Sequence, residues 1–320
     1  MGKQIAVIGG GVSGLTTAVK LQEAGYTVEL ITEKTFESTT SIVAAAIWFP
    51  YHIQPIALTN KWSLATYHEL EKLTGVTDSG VTMTTFKLYH EKEEDAVWKS
   101  ALPANNLSAM SPNELPPGFP MGYRATVPLC ETQIYLPYLQ DRFRFNGGKV
   151  IFQKVKDLQT LSSQYEAVIN CTGMGSQELI NDQELYPIFG QLVKVDLQDG
   201  IESTSAEMPV SDNDEETAYV IKRSDCMVLG GTVMKGYHSD EPVEALNRGI
   251  IERCQQLVPE LKVSDVKGIV AGVRPGRTTV RLEREGNIIH NYGHGGSGYT
   301  VSWGCASEVL SILDEYCTTH

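Results

Sequence analysis

Three glycines in the spacing Gly9-x-Gly11-x-x-Gly14 follow the apolar run "IAVI" and precede a helical pattern. The first glycine of such a turn permits a sharp bend, the second lets backbone approach a pyrophosphate, and the third lets a helix pack closely on a strand. The phosphates then sit at the positive end of the helix dipole. Glu33 stands 19 positions beyond Gly14, at the end of a second apolar run, where a ribose-binding carboxylate belongs. A carboxylate there repels a 2′-phosphate, which argues against NADP and leaves FAD and NAD.

A second glycine cluster, "HNYGHGGSGYT" over 290–300, again presents backbone N–H groups just ahead of a helix. Tyr292, Trp303 and the apolar helix that follows mark it as packed. A single NAD needs no second cradle so far along the chain, whereas an extended FAD does, so the pair of clusters favours a flavoprotein. Between them, "GVRPGRTTVRLERE" (272–285) carries Arg274, Arg277, Arg281 and Arg284. A solvated strand face is expected for most of these. Arg274, beside Pro275 and after an apolar run, is the one to place inside as a bidentate carboxylate clamp. His294 reads as a hydrogen-bonded structural histidine ahead of a base.

The elements that must position these residues are legible in outline. Residues 4–9 read as a strand, 12–25 as a helix with Val12, Leu15 and Val19 at helical spacing, and 27–32 as a second strand. Gly25 stands where a helix C-cap belongs. A βαβ unit of this length implies a parallel sheet. Residues 60–74 suit an amphipathic helix, and "MSPNELPPGFP" reads as a loop. "KVIFQKV" (149–155) and "YEAVINCTG" (165–173) read as buried strands, "AYVIK" and "CMVLGGTV" as a pair joined by "RSD", and about 241–257 as a helix. The opening βαβ unit and the second glycine cluster belong to one domain, so the chain leaves it, builds a second, and returns.

Composition narrows the field. A chain of 320 residues with 42% hydrophobic and 20% charged residues is an ordinary globular protein. A net charge of −13 speaks against nucleic acid or an anionic membrane as partner. No apolar run is long enough to span a membrane, and no secretory leader is read at the N-terminus. Six scattered cysteines lack zinc-like spacing and read as free thiols in a reducing cytoplasm. Serine-hydrolase and metal-hydrolase motifs are absent, and no metal is expected.

Taken together, the glycine motif with Ala18 and Gly25, "TTSIVAAAIWFPY" (39–51), "INCTG" (169–173) and the two C-terminal stretches resemble the D-amino-acid oxidase family of FAD-dependent amine oxidoreductases nearly end to end. The resemblance implies an α/β chain: a Rossmann-like FAD-binding domain, discontinuous over about 1–52, 149–180 and 272–320, and a mainly antiparallel-sheet substrate domain over about 53–148 and 181–271. It implies oxidative deamination of D-amino acids, neutral ones ahead of acidic ones, by hydride transfer from Cα to flavin N5. The products would be a 2-oxo acid, ammonia and, with oxygen as acceptor, hydrogen peroxide. A cytoplasmic monomer or homodimer is expected.

Carried over position by position, Arg274 and Tyr219 hold the substrate carboxylate, and the Gly296 carbonyl accepts from the amine. FAD contacts fall on Gly9, Gly11, Val12, Ser13, Gly14, Glu33, Lys34, Thr40, Ser41, Ala45, Ala46, Ile47, Val155, Thr172, Gly173, Gly295, Gly298, Tyr299 and Thr300. One departure is Glu215, where eukaryotic members often carry a lid tyrosine, and another is Ser297, where some relatives have a bulky aromatic. The competing readings are a glycine- or sarcosine-type amine oxidase on the same fold, a non-catalytic flavin-binding protein, and an NAD-dependent dehydrogenase.

Overall fold

The computed structural model describes residues 4–51, 53–90, 97–211 and 214–319. The strands are β1 (Gln4–Ile8), β2 (Thr27–Thr32), β3 (Val81–His90), β4 (Leu107–Ala109), β5 (Met121–Cys130), β6 (Lys149–Phe152), β7 (Ala167–Asn170), β8 (Tyr186–Asp196), β9 (Ser203–Ser211), β10 (Asp214–Lys222), β11 (Cys226–Gly230), β12 (Met234–Lys235), β13 (Val266–Gly276), β14 (Arg281–Glu285) and β15 (Ile288–Tyr292). The helices are α1 (Val12–Glu23), α2 (Ile56–Leu73), α3 (Thr132–Phe145), α4 (Leu158–Ser162), α5 (Gly175–Leu179), α6 (Glu244–Leu257) and α7 (Gly298–Thr319).

Two sheets organise the chain. The first has six strands in the order β14-β15-β7-β1-β2-β6, parallel except at the β14–β15 hairpin. Its central strands β1 and β7 are almost wholly buried, as parallel strands covered on both faces must be. The second sheet runs β12-β8-β11-β10-β9-β3-β5-β4, with β13 also paired to β8, and only its β3–β9 pair is parallel. The "AYVIK" and "CMVLGG" strands form the expected antiparallel pair, with Tyr219 opposite Gly230.

Helix α1 buries Val12, Leu15, Ala18 and Val19, and Gly25 follows its end at φ 98°, donating its N–H to the Gln22 carbonyl. Helix α6 lays Ile250, Cys254 and Leu257 against the second sheet. Several boundaries differ from the sequence reading: the strands read over 4–9, 149–155 and 165–173 are the shorter β1, β6 and β7. Helix α1 stops at Glu23, two residues short of the glycine that turns the chain. Helix α2 begins at Ile56, directly after Pro55 as N-cap, and α6 begins at Glu244. Helix α3 has no counterpart in the sequence reading: its buried face, Tyr135, Leu136, Leu139 and Phe143, is interrupted by Pro137, which obscures the helical pattern.

The chain crosses from the second sheet to the first between β13 and β14. Arg274 therefore lies near the end of β13, at the seam between the sheets. The Pro-rich stretch is a loop holding one short 3₁₀ turn at Pro112–Glu114.

Candidate active site

A single continuous cavity of about 1290 Å³ runs along this seam, from the Gly9–Gly11 turn and Glu33 at one end to Tyr219 and Arg274 at the other. That exceeds the roughly 300–1,000 Å³ of an ordinary small-molecule pocket. Every site residue named from the sequence lines it except Gly14. A Cβ on Gly14 would stand 1.8 Å from the Gly9 carbonyl oxygen, so this glycine seats α1 against the turn.

At the turn, Gly9 has φ 115° and Gly11 is the N-cap of α1. Gly11 itself offers no capping side chain and no acid stands in the first turn of α1, so the positive end of its dipole faces the cavity. The Val12 N–H donates to Ser41 Oγ at 3.0 Å. Glu33 is exposed at the cavity rim, 3.8 Å from Lys154 Nζ. On the opposite wall, Thr172 Oγ1 lies 2.8 Å from both Asn170 Oδ1 and Ser176 Oγ, which fixes the loop after β7.

The segment after β2 closes the cavity by docking onto the second glycine cluster. Tyr299 donates its hydroxyl to the Ser41 carbonyl at 2.8 Å. The Phe49 N–H donates to Thr300 Oγ1 at 3.1 Å, and that hydroxyl donates back to the Phe49 carbonyl at 2.9 Å. Tyr51 and Ser297 repeat the arrangement at 2.9 and 2.8 Å. The Ser297 hydroxyl thus joins the two segments. Thr40 Oγ1 donates to the Val273 carbonyl at 3.1 Å, tying the same segment to the strand that carries Arg274.

At the far end, Arg274 Nη1 donates to the Thr232 carbonyl at 2.9 Å and more weakly to Phe189 at 3.5 Å. No carboxylate pairs with this half-buried cation among the described residues. The Tyr219 hydroxyl faces the guanidinium. Burial pushes the phenol above its ordinary range, opposed by the Arg274 charge, so it stays a proton donor at neutral pH. Gly230 and Gly231 leave room for the ring: a Cβ on Gly230 would stand 2.2 Å from Tyr219 Cζ. Gly296 lies between Tyr51 and Arg274, whose nearest atoms would be 3.6 and 3.7 Å from a Cβ there.

His294 also lines the cavity but is buried, and burial brings its pKa down to about 4. Its Nε2 lies 3.1 Å from Asn291 Oδ1. It is a neutral, structural ring at physiological pH. Glu215 sits in β10, but its side chain lies outside the described residues.

The arginine-rich stretch departs from the expectation of a solvated face. Arg277 and Arg281 are only 11% and 14% exposed and converge on the buried carboxylate of Asp182. Tyr292 donates to the same oxygen at 2.5 Å. Arg284 alone of the three remains exposed. Tyr51, Gly190 and Arg223 were given no role in the sequence reading. Tyr51 closes the recognised stretch 39–51 and Arg223 opens the "RSD" turn, but neither spacing pointed to the cavity. None of the six cysteines forms a disulfide among the described residues, and Cys305 is buried with Trp62 and Val301, apart from the cavity lining. Among the described residues, no cluster of three or more His, Cys, Asp or Glu could hold a metal. No helix among the described residues is long and apolar enough to cross a membrane.

The acid-free start of α1, the glycine turn and the size of the cavity fit FAD. The profile of the FAD-dependent oxidoreductase family matches residues 4–311, and the chain belongs to that family. Within it, the chain is 39% identical over 318 residues to a D-amino-acid oxidase of Streptomyces coelicolor, covering 97% of this chain and 96% of that one. It is 36% identical over 313 residues to a D-amino-acid oxidase of Rubrobacter xylanophilus, covering 96% and 94%. Among solved structures, glycine oxidase from Geobacillus kaustophilus aligns over 98% of this chain and 95% of its own, with TM-score 0.77 at 18% identity. L-proline dehydrogenase from P. horikoshii aligns over 98% and 94%, with TM-score 0.80 at 14% identity. At those identities the two structures share the fold. The protein is a flavin-dependent oxidoreductase.

Proposed function

We propose that this enzyme oxidises D-amino acids, with neutral side chains preferred to acidic ones. The observation that carries the reading is Arg274: a half-buried guanidinium with no carboxylate partner among the described residues, beside the Tyr219 hydroxyl, in the cavity that begins at the glycine turn. A cation so placed calls for an anionic ligand, and an α-carboxylate matches the paired donors of guanidinium and phenol.

In this reading Gly9, Gly11, Val12, Ser13 and Glu33 hold the adenosine and pyrophosphate of FAD. The segments around Thr40–Ile47, Val155, Thr172–Gly173 and Gly295–Thr300 hold the rest. The flavin-bearing unit comprises about 1–52, 149–180 and 272–320, and the substrate unit about 53–148 and 181–271. FAD, when bound, would supply the acceptor for the hydride from the substrate Cα, with oxygen as final acceptor and hydrogen peroxide as its product. Arg274 and Tyr219 fix the carboxylate, and the Gly296 carbonyl accepts from the neutral amine. The chain's contribution is orientation and exclusion of water. No protein base is assigned, since His294 is spent on Asn291 and the amine reacts in its neutral form. The imino acid leaves as 2-oxo acid and ammonia after hydrolysis in water. The free thiols support a reducing, cytoplasmic setting.

The test is anaerobic. The purified yellow protein is mixed separately with D-alanine, L-alanine, glycine and D-aspartate. Bleaching by D-alanine and not L-alanine is expected, with D-aspartate slower. Bleaching by glycine alone would move the protein to the glycine-oxidase reading, and a flavin that stays yellow with all four would leave a binding protein.

A further inference from the structure

We propose that Arg223 is a positioning residue for the flavin: it draws the Ala44 and Ala45 carbonyls out of the cavity and so turns the N–H groups of Ala45 and Ala46 into it. The inference rests on the assignment of this cavity to FAD.

Arg223 is 4% exposed and follows β10 directly, four residues after Tyr219. Its Nη2 donates to the Ala44 carbonyl at 2.6 Å and to Ala45 at 3.0 Å. Its Nη1 donates to Gln133 Oε1 at 3.1 Å and Thr132 Oγ1 at 3.3 Å. All four acceptors are neutral. No carboxylate pairs with Arg223 among the described residues. Glu131, buried alongside, accepts the Ser224 N–H at 2.8 Å instead. A buried guanidinium costs much to desolvate, and here one of its amino groups sets the backbone of a short segment while the other is anchored on Thr132 and Gln133.

That segment is held from its other side too. The Ala46 carbonyl accepts from the Cys130 N–H at 3.0 Å, and the Trp48 N–H donates to Pro128 at 2.9 Å. Ala46 has φ 56°, a left-handed conformation that a non-glycine residue keeps only under such constraint. In a trans peptide the carbonyl and the following N–H point in opposite directions. Carbonyls of 44 and 45 drawn onto Arg223 therefore send the N–H groups of 45 and 46 the other way. Ala44 through Ile47 line the cavity, and neither N–H has a protein acceptor among the described residues. Two consecutive donors backed by a buried cation form an electropositive wall. Such a wall suits the polar edge of a heteroaromatic ring, and it favours a ring that gains negative charge on reduction.

Arg223→Lys, Arg223→Met and Gln133→Ala test this. Three readings are taken: FAD affinity of the apoprotein, the flavin midpoint potential, and apoprotein melting temperature. Arg223→Lys should weaken FAD binding about 10-fold and Arg223→Met about 100-fold, the scale of one to two charge-assisted hydrogen bonds. The potential should fall in both, further in Arg223→Met. Gln133→Ala, at an exposed position that steadies the guanidinium from behind, should move affinity and potential the same way by less. If Arg223→Met fails to fold, the other two variants decide. A fall in melting temperature with affinity and potential unchanged in Arg223→Lys and Gln133→Ala would overturn the proposal, while D-alanine still bleaches the wild type. A wild-type apoprotein that takes up no FAD would overturn the flavin assignment beneath it.

Discussion

Arg274 packs over Gly190 of the neighbouring strand so closely that a Cβ on Gly190 would stand 2.3 Å from the guanidinium carbon and 2.3 Å from Nη2. Strands β8 and β13 pair with Ile188 opposite Arg274 and Gly190 opposite Gly272, so the side chain reaches back over the glycine toward the Thr232 carbonyl. The position of the proposed carboxylate clamp is thus shaped by the absence of a side chain on the adjacent strand.

Gly190→Ala should therefore act on substrate binding. An arginine is long enough to move, so the fold survives, but the guanidinium leaves the position it shares with Tyr219. KM for D-alanine should rise about 10-fold, the scale of a lost charge-assisted hydrogen bond, with melting temperature little changed. Steady-state kinetics on the variant check this. An unchanged KM would show that Gly190 does not shape the clamp.

The two clamp residues should differ in weight. Tyr219→Phe removes one neutral hydrogen bond and should lower kcat/KM roughly 3- to 10-fold. Arg274→Ala removes the charge and should cost on the order of 100-fold or more, mostly in KM. Equal losses from the two would give the phenol a chemical role beyond holding the carboxylate.

Acid stability should report the buried His294. Burial lowers its folded-state pKa from 6.5 to about 4. The unfolded chain therefore binds more protons between those values, and stability rises with pH across that window. The contribution is fully present above pH 6.5 and is lost as pH falls through about 4. His294→Gln should flatten the slope of denaturant midpoint against pH in this range, as urea titrations at several pH values would show.

The Asp182 network should matter for stability ahead of chemistry. Burial raises the pKa of this carboxyl, but the Tyr292 hydroxyl, the Glu184 N–H and Arg277 more than offset that, leaving it below the ordinary value. Asp182→Asn strands Arg277 and Arg281 without their buried counter-charge. The loss should be about 2–3 kcal/mol, at or just under the usual cost of breaking a buried pair, because exposed Glu184, Glu283 and Glu285 remain as partial partners. Thermal melting checks the size, and a kcat held near wild type would separate this network from the clamp.

Much of the molecule was legible in the amino-acid sequence because its signals are local. The βαβ unit at residues 4–32 follows from apolar runs, a glycine turn and Gly25, all within one short stretch. The same holds for the "AYVIK"/"CMVLGG" pair. Helix α3 was not legible, since Pro137 breaks a pattern that packing against α1 restores. Arg277 and Arg281 read as surface residues because their partner, Asp182, is some 95 residues away in sequence.

The sequence by itself determined the chemistry available: a glycine turn with Glu33 at ribose distance, a second glycine cluster, and an arginine that suits a carboxylate. Each of these depends on residue type and short-range spacing, whereas the tyrosine was pointed to by the family resemblance alone. Only the tertiary structure decided that they share one cavity, that Gly14 serves helix packing and not the cavity wall, and that Gly190 makes room for Arg274. It alone brought Arg223 under the Ala44–Ala45 carbonyls. Those outcomes depend on which strands pair across the seam of the two sheets and on how closely backbone can approach backbone. They are long-range facts of packing, which no local pattern of residues encodes.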